Sequence, residues 1–158
     1  MGLEKYLTDK LNLKIKRTAV GDINVINQMK KSKCLIGGEQ SGHIIMSKFS
    51  NSGDGILAAL KITEIISKKK MITSKLFDLY KEYYQEKIDL FYKNKNKNMI
   101  NIIDTLNKDK SLNNKNIRSL IRFSGTEPVL RILVEGESKS LVKANSKKIK
   151  NIIRPYLV

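Results

Sequence analysis

Two arginines, two hydroxyl side chains and a glycine are gathered in one short stretch between two apolar runs near the end of the sequence. Arg122 and Arg131 carry planar guanidinium groups, which match the oxygens of a phosphate two at a time. Ser124 and Thr126 can donate hydroxyl protons, and Gly125 lets backbone N–H groups approach an anion without a side chain between them. A Ser-Gly-Thr bend alone is typical of an ordinary turn, but the complete set indicates a site for a phosphate monoester.

A second polar cluster, Gly37–His43, leaves one apolar run and enters another. Glu39, Ser41 and His43 present a carboxylate, a hydroxyl and an imidazole within five positions. This mixture of donors and acceptors suits the hydroxyl groups of a sugar. The alternative is a polar hairpin in which Glu39 lies in solvent and His43 packs at the start of a strand.

Together the two clusters resemble the α-D-phosphohexomutases. The similarity is carried by Gly-Glu-Gln-Ser-Gly-His at 38–43 and by Arg-x-Ser-Gly-Thr-Glu-Pro-x-x-Arg at 122–131. Arg17–Asp22 resembles the turn before the first motif, and Gly53–Ile56 resembles the start of the helix after it. Gln40 resembles the residue of the glucosamine branch at this position, whereas the mannose and glucose branch commonly has Met at the same position. The resemblance covers nearly the whole chain.

The resemblance implies an α/β fold in two parts. Enzymes of this family have four domains, and residues 1–83 are similar to the C-terminal part of the third, a mixed or parallel sheet with helices. We name Gly37–His43 in this part the sugar loop. Residues 84–158 are similar to the fourth domain, a smaller α+β domain, and we name Arg122–Arg131 within it the phosphate loop. The family's phosphoserine loop and its Asp-Gly-Asp-x-Asp-Arg loop, which binds Mg²⁺, do not occur in the 158 residues. The chain is therefore expected to be a C-terminal fragment.

The resemblance also implies an activity for the full enzyme. That enzyme would be an isomerase that interconverts glucosamine 6-phosphate and glucosamine 1-phosphate through a phosphoserine and a bisphosphate intermediate, for UDP-N-acetylglucosamine and cell-wall synthesis. The alternatives are a phosphomannomutase or phosphoglucomutase fragment and a non-catalytic phosphosugar-binding remnant. Sugar binding is implied for Glu39, Ser41 and His43, and phosphate binding for Arg122, Ser124, Gly125, Thr126 and Arg131.

The resemblance places the chemistry outside this chain. No catalytic residue and no metal ligand is expected here, so Mg²⁺ belongs to the full enzyme and the fragment alone is expected to be inactive. The expected partners are a phosphorylated hexosamine and a separate N-terminal mutase chain. Two residues keep open roles: Arg17 could meet a phosphate or pair with a neighbouring carboxylate, and Asp22 could touch a ligand or cap the next helix, of which the cap is favoured.

The net charge of +16 raises the possibility of a nucleic-acid partner. The positive residues are mostly lysines spread among Asn and Ile, a pattern typical of an AT-rich genome, and stacking aromatics or arginine clusters are missing. We therefore expect no nucleic-acid partner. We also expect no membrane partner and a cytoplasmic location, because no apolar run is long enough for a signal peptide or a membrane span. Cys34, in an apolar run, is expected to be a buried thiol.

Apolar periodicity predicts the elements of the first part. Asp54 is expected to cap a long helix that buries Leu57, Leu60, Ile62, Ile65 and Ile66, rather than to bind a metal. Ser74 is expected to cap a helix over Lys75–Tyr83. The alternation of strands and helices predicts a mostly parallel sheet. The remaining predicted elements are helix Gly2–Leu11, strand Leu13–Lys16, a helix through Ile23, Ile26 and Met29, and strands Cys34–Ile36 and Ile44–Met46.

The second part is predicted to place the phosphate loop on a hairpin. Apolar residues alternate along Ile117–Phe123 and along Leu130–Val134, which is the period of two of a strand. Rigid strands on both sides would hold the loop's donors in place. The other elements expected are a strand near Lys87–Tyr92, a helix near Met99–Leu106 and a C-terminal helix near Lys139–Ile153.

Overall fold

The computed structural model describes residues 1–157, which divide into two compact units. The N-terminal unit contains Leu7–Leu79, and the C-terminal unit contains Met1–Tyr6 together with the chain from Tyr80 onward. The elements in chain order are α1 (Gly2–Leu11), α2 (Asp22–Ser32), β1 (Ile36–Gly38), β2 (Ile44–Met46), α3 (Gly55–Lys69), α4 (Thr73–Phe77), β3 (Tyr84–Phe91), α5 (Lys97–Lys108), β4 (Ile117–Phe123), β5 (Val129–Gly136), α6 (Lys139–Ile153) and a 3₁₀ turn (Arg154–Tyr156).

The C-terminal unit is built on an antiparallel sheet in the order β3-β5-β4. Alternate residues of β4 and β5 are buried, as their period of two predicts. Helices α5 and α6 pack against the sheet. The core consists of Met99, Ile103, Leu106, Leu112, Ile117, Ile121, Leu130, Ile132, Val134, Val142, Ile149 and Ile153.

Two asparagine side chains occupy the outer edge of β4, which no other strand of residues 1–157 borders. Asn107 accepts a hydrogen bond from the Ile121 N–H at 2.9 Å and donates to the Ile121 carbonyl at 2.8 Å. Asn113 accepts from the Ser119 N–H at 2.8 Å. Backbone groups at a sheet edge must be paired or exposed, so these amides fix the strand that leads into the phosphate loop.

The N-terminal unit centres on the β1–β2 hairpin, whose register pairs Gly38 with Ile44. Helix α2 packs against the hairpin through Val25 and Met29, which are buried with Ile45. A Cβ on Gly37 would lie 2.7 Å from Val25 Cγ1 and would also clash with Met29. Glycine at this position therefore lets α2 lie directly on β1, the strand that enters the sugar loop.

Helix α3 begins as predicted, because the Asp54 carboxylate accepts a hydrogen bond from the Leu57 N–H at 2.9 Å. The predicted inward face is only partly correct. Ala58 is the buried residue of this helix, whereas Leu60 and Ile65 are exposed. Apolar residues lie on several sides of α3, so their spacing does not select one face.

The expected α/β class is confirmed, but the strands pair differently from the parallel arrangement expected for the first part. All ladders within residues 1–157 are antiparallel. For two of the three pairs the reason is the length of the connection: residues 39–43 join β1 to β2 and residues 124–128 join β4 to β5. Parallel neighbours need a crossover of roughly a dozen residues or more.

Two predicted elements of the N-terminal unit are wrong. Leu13–Lys16 forms no strand, and the described chain offers it no neighbouring strand to complete a ladder. The helix predicted over Lys75–Tyr83 is the shorter α4, whose N-cap is Ile72 without a side-chain cap. It ends at Phe77, and the next residue, Asp78, has left the helical conformation with a ψ of 62°.

Cys34 is exposed, which corrects the expectation of a buried thiol. The strand predicted at Cys34–Ile36 starts later, at Ile36, and runs to Gly38. The preceding residue, Lys33, ends α2 in the left-handed conformation with φ 54°. The Cys34 N–H then bonds to the Met29 carbonyl at 3.1 Å, so this residue belongs to the helix C-cap rather than to the strand. Across residues 1–157, no helix has the length and apolar character that crossing a membrane requires.

Candidate functional site

The phosphate loop connects β4 to β5 through residues 124–128. The Ser124 N–H donates to the Val129 carbonyl at 2.8 Å and closes the base of the bend, and the Pro128 carbonyl accepts from the Tyr92 N–H at 3.1 Å. Gly125 and Thr126 are exposed at the tip, and a Cβ on Gly125 would have no atom within 4 Å. The backbone at the tip therefore faces open space that a small anion can enter.

Arg122 and Arg131 are direct partners across β4 and β5, so both guanidinium groups lie on one face at the base of the loop. Both residues are half-buried. Arg131 Nη2 donates to Glu127 Oε2 at 2.8 Å, whereas its Nε is buried without a hydrogen-bond partner. The contact between Arg122 Nη1 and the Phe123 carbonyl is long, at 3.5 Å.

Carboxylates partly balance the two arginines on this face. Like charges placed directly opposite each other on neighbouring strands destabilise a sheet. The same register brings Asp89 of β3 beside Arg131, and Glu127 provides a second carboxylate. Sequence reasoning did not find Asp89, because β3 and β5 are far apart in the chain and no local pattern indicates that they pair.

The sugar loop is a tight hairpin between β1 and β2. The Glu39 N–H donates to the His43 carbonyl at 3.0 Å, and Gly42 takes a φ of 103°, which only glycine adopts readily. Glu39 Oε1 accepts from the Gly21 N–H at 2.6 Å, and the Ser41 hydroxyl lies 3.4 Å from Glu39 Oε2. The half-buried carboxylate is thus held in one position, with a hydroxyl beside it.

His43 pairs with Asp22, with Nδ1 and Oδ1 3.0 Å apart. The hydrogen bond from the His43 imidazole is the main cause that holds the pKa of Asp22 below its ordinary value of 3.8. The expectation that Asp22 caps α2 is wrong, since Gly21 is the N-cap and makes no side-chain bond. Asp22 instead contacts His43 of the sugar loop. Its position at the start of α2 did not predict this contact. Arg17 is exposed in a segment without helix or strand, and its role stays open.

Asp22, Glu39 and His43 are the one group within residues 1–157 that places three potential metal-ligand side chains together. This donor set does not fit the Mg²⁺ that the family resemblance implies, because Mg²⁺ takes oxygen ligands and one of the three donors is an imidazole nitrogen. We therefore derive no step through Mg²⁺ from this chain.

Two protein-family descriptions match the chain. Residues 1–83 match "Phosphoglucomutase/phosphomannomutase, alpha/beta/alpha domain III", and residues 92–152 match "Phosphoglucomutase/phosphomannomutase, C-terminal domain". The chain therefore belongs to the phosphoglucomutase/phosphomannomutase family, in the region of its third and fourth domains.

Curated relatives agree with this assignment. The phosphoglucosamine mutase of Lawsonia intracellularis is 37% identical over 159 residues, and that of Fusobacterium nucleatum is 35% identical over 164 residues. Each alignment covers 99% of this chain and 35% of the relative. The chain thus spans about a third of the length of these relatives, which are isomerases of the family identified above.

Solved structures show the same fold at low sequence identity. An N-acetylglucosamine-phosphate mutase of the α-D-phosphohexomutase superfamily, in its substrate complex, matches 96% of this chain and 36% of its own with a TM-score of 0.69 at 20% identity. The Aspergillus fumigatus N-acetylphosphoglucosamine mutase with glucose 1,6-bisphosphate matches 99% and 37% with a TM-score of 0.74 at 18% identity. Another structure of the Aspergillus fumigatus enzyme, with GlcNAc-6P and magnesium, has a TM-score of 0.51 at 22% identity and covers 68% of this chain and 22% of its own.

Proposed function

We propose that this chain is the substrate-binding part of a phosphoglucosamine mutase, holding the sugar and one phosphate while the rest of the enzyme transfers the other. The full enzyme would interconvert glucosamine 6-phosphate and glucosamine 1-phosphate. Residues 1–83 would correspond to the end of the third domain and residues 84–158 to the fourth. The names of the curated relatives and the Gln40 position of the sugar loop support the glucosamine substrate over mannose or glucose phosphates.

The arginine pair at the base of the phosphate loop carries the proposal. Two guanidinium groups lie side by side across neighbouring strands, and the buried Nε of Arg131 has no partner. The planar fork of donors on each guanidinium matches the oxygens of a phosphate two at a time, so this pair favours a phosphate ester. A dianionic phosphate ester accepts from both arginines and from the Ser124 and Thr126 hydroxyls, and it must compete with Glu127 for Arg131.

The reaction explains why such a site must not distinguish the two ends of the sugar. The phosphoserine first donates its phosphoryl group, which gives a bisphosphate. The bisphosphate then reorients within the site, and the opposite phosphate is transferred back to the serine. The phosphate loop would hold whichever phosphate is not being transferred, and strands fixed by Asn107 and Asn113 keep its donors in place, which limits the entropy lost on binding.

The sugar loop would orient the ring between these steps. The Glu39 carboxylate can accept from two neighbouring hydroxyl groups, and Ser41 and His43 can donate or accept. These contacts bind and position the sugar and transfer no phosphoryl group. The Gly21 N–H keeps Glu39 in place, so a substrate does not have to order that side chain.

The nucleophile and Mg²⁺ would come from outside this chain. If the natural polypeptide is no longer than these 158 residues, a separate N-terminal mutase chain must supply the phosphoserine loop and the Mg²⁺-binding loop. The complete protein would work in the cytoplasm. The second candidate function is non-catalytic binding of a phosphosugar. It would use the sugar loop and the phosphate loop in the same way and would differ only in lacking that partner chain.

Calorimetric titration with glucosamine 6-phosphate tests the phosphate site. We expect Arg122→Ala to weaken binding by about 10–100-fold, because a charge-assisted hydrogen bond is worth about 1.5–3 kcal/mol. Arg154→Ala is the matched control, since it removes an exposed arginine of the 3₁₀ turn. Equal losses in the two variants would show that attraction by the general positive charge, and not the phosphate loop, accounts for the binding.

An assay of mutase activity distinguishes the substrate-binding part of a working mutase from a non-catalytic phosphosugar-binding remnant. The 158-residue chain alone is expected to convert no glucosamine 6-phosphate. Adding a purified N-terminal mutase chain that carries the serine and metal loops is expected to restore turnover, measured as glucosamine 1-phosphate formed. Turnover by the chain alone would overturn the division of labour, and persistent inactivity of the mixture, with sugar-phosphate binding retained, would favour the remnant.

A further inference from the structure

Three donor side chains of the N-terminal unit meet beside the sugar loop. Asp22 comes from the start of α2, whereas Glu39 and His43 come from the two ends of the hairpin bend. Their ligand atoms all lie within 4.8 Å of one another, and the side chains of Asp22 and His43 are 40% and 56% exposed, respectively. The cluster is therefore accessible from solvent.

The three donors are close enough to converge on a single ion after rotation of their side chains. Donors that each bind Zn²⁺ at roughly 2.0–2.2 Å lie roughly 3–3.5 Å apart in a tetrahedral site. His43 Nδ1 and Asp22 Oδ1 are already 3.0 Å apart. The ligand atom of Glu39 lies within 4.8 Å of the other two, and rotation of the exposed Asp22 and His43 side chains would shorten these distances. Three protein ligands would leave a fourth position for water, as in open zinc sites.

We propose that Asp22, Glu39 and His43 bind a divalent transition-metal ion of the Zn²⁺ and Co²⁺ type. One imidazole and two carboxylates form a mixed nitrogen and oxygen set, which suits these ions better than Mg²⁺ or Ca²⁺. The ion also neutralises two carboxylates that lie close together. The Gly21 N–H, at 2.6 Å from Glu39 Oε1, orients this ligand as outer partners do in metal sites.

The ion and the sugar would exclude each other, because Glu39 and His43 belong to both sites. This consequence rests on the proposed function, whereas ion binding itself does not. A titration with the metal alone therefore tests the metal site whether or not the chain binds a sugar phosphate.

The sequence makes the titration easy to read, because His43 is its single histidine and Cys34 its single cysteine. Cys34 is exposed and its thiolate can bind zinc, so the parent protein for this test is the full chain with Cys34→Ser. Zn²⁺ is added while the one set of imidazole NMR signals is followed. We expect saturable shifts of these signals with Zn²⁺ and none with Mg²⁺ at the same concentrations.

Variants in the same background assign the ligands. His43→Ala and Asp22→Asn should each weaken Zn²⁺ binding at least about tenfold, measured by calorimetry. Glu64→Gln is the matched control, because it removes a partly exposed carboxylate of α3 outside the cluster, and it should leave the affinity unchanged. Circular dichroism checks that each variant keeps its helices.

Three results would overturn the proposal. The first is the absence of any imidazole shift with Zn²⁺ in the parent protein. The second is equal affinity in the parent, Asp22→Asn and His43→Ala proteins. The third is an equal loss in Glu64→Gln, which would show a diffuse response of surface carboxylates instead of a site. The parent titration needs no ligand substitution, so a variant that fails to fold does not remove the test.

Discussion

The two units support their loops in very different ways. The C-terminal unit buries a core of twelve residues beneath the phosphate loop, whereas the sugar loop of the N-terminal unit rests on a buried cluster of three. Of the 20 large apolar side chains exposed among the described residues, 15 lie in Leu7–Leu79. Examples are Ile36 and Ile56, which are 72% and 77% exposed.

This difference teaches that two loops in one chain can rest on buried cores of very different size. The phosphate loop has its strands, edge partners and core within the C-terminal unit. The N-terminal unit exposes apolar surface of the kind that marks an interaction site or an aggregation hazard. We therefore expect the phosphate loop to be ordered in this chain and the sugar loop to open more easily.

The largest expected effect is a cavity in the C-terminal core. Ile149→Ala removes a fully buried side chain and should lower the free energy of unfolding by about 2–5 kcal/mol. Leu60→Ala, at a position that is 65% exposed in the N-terminal unit, should change it by less than about 0.5 kcal/mol. Urea unfolding followed by circular dichroism measures both, and similar losses would contradict the burial of Ile149 and the exposure of Leu60.

A pair of glycine substitutions should sharpen the contrast. Gly37→Ala places a methyl group against Val25 and Met29 and should cost about 1–3 kcal/mol through overpacking. Gly125→Ala meets open space and should leave stability unchanged, but its methyl group should weaken glucosamine 6-phosphate binding. Hydrogen exchange in each unit and calorimetry distinguish these effects. A stable Gly37→Ala protein would contradict the close packing of α2 on β1.

The smallest expected effect is a dependence on pH within α3. Hydrogen bonds from Lys61 and Lys68 lower the pKa of Glu64 from 4.5 to about 2. A carboxylate with a lowered pKa in the folded state stabilises it above its unfolded pKa, and this contribution is lost as the pH falls from 4.5 toward 2. The helical signal of the N-terminal unit should therefore weaken over this range, and less so in Glu64→Gln. High salt should reduce the difference; identical pH profiles would argue against these ion pairs.

Local patterns predicted most of the C-terminal unit. Alternation along β4 and β5 and the apolar face of α6 depend on near neighbours in the chain, and α6 has the predicted bounds Lys139–Ile153. The phosphate-loop residues were proposed from their types, and their role stays a prediction, whereas the short connection already implies the hairpin that the structure shows. The pairing of β3 with β5 was not predictable, because a ladder between distant segments depends on the whole fold.

The N-terminal unit was harder to predict for a physical reason. Alternation in Leu13–Lys16 shows which side chains would share a face but not whether a partner strand exists. Spacing likewise suggested that Leu60 and Ile65 of α3 would be inward, yet no layer of the described chain covers them. The pair of Asp22 with His43 links two elements through space, and only the folded structure reveals it.

A ³¹P NMR titration of glucosamine 6-phosphate with the 158-residue chain tests the central claim most directly. One spectrum reports both binding at the phosphate and any conversion to the 1-phosphate. We predict that the 6-phosphate signal shifts with the wild-type chain, that the shift is lost with Arg122→Ala, and that no 1-phosphate signal appears. An unshifted signal at saturating protein, or an equal shift with Arg122→Ala, would contradict the claim that Arg122–Arg131 binds the phosphate of the substrate.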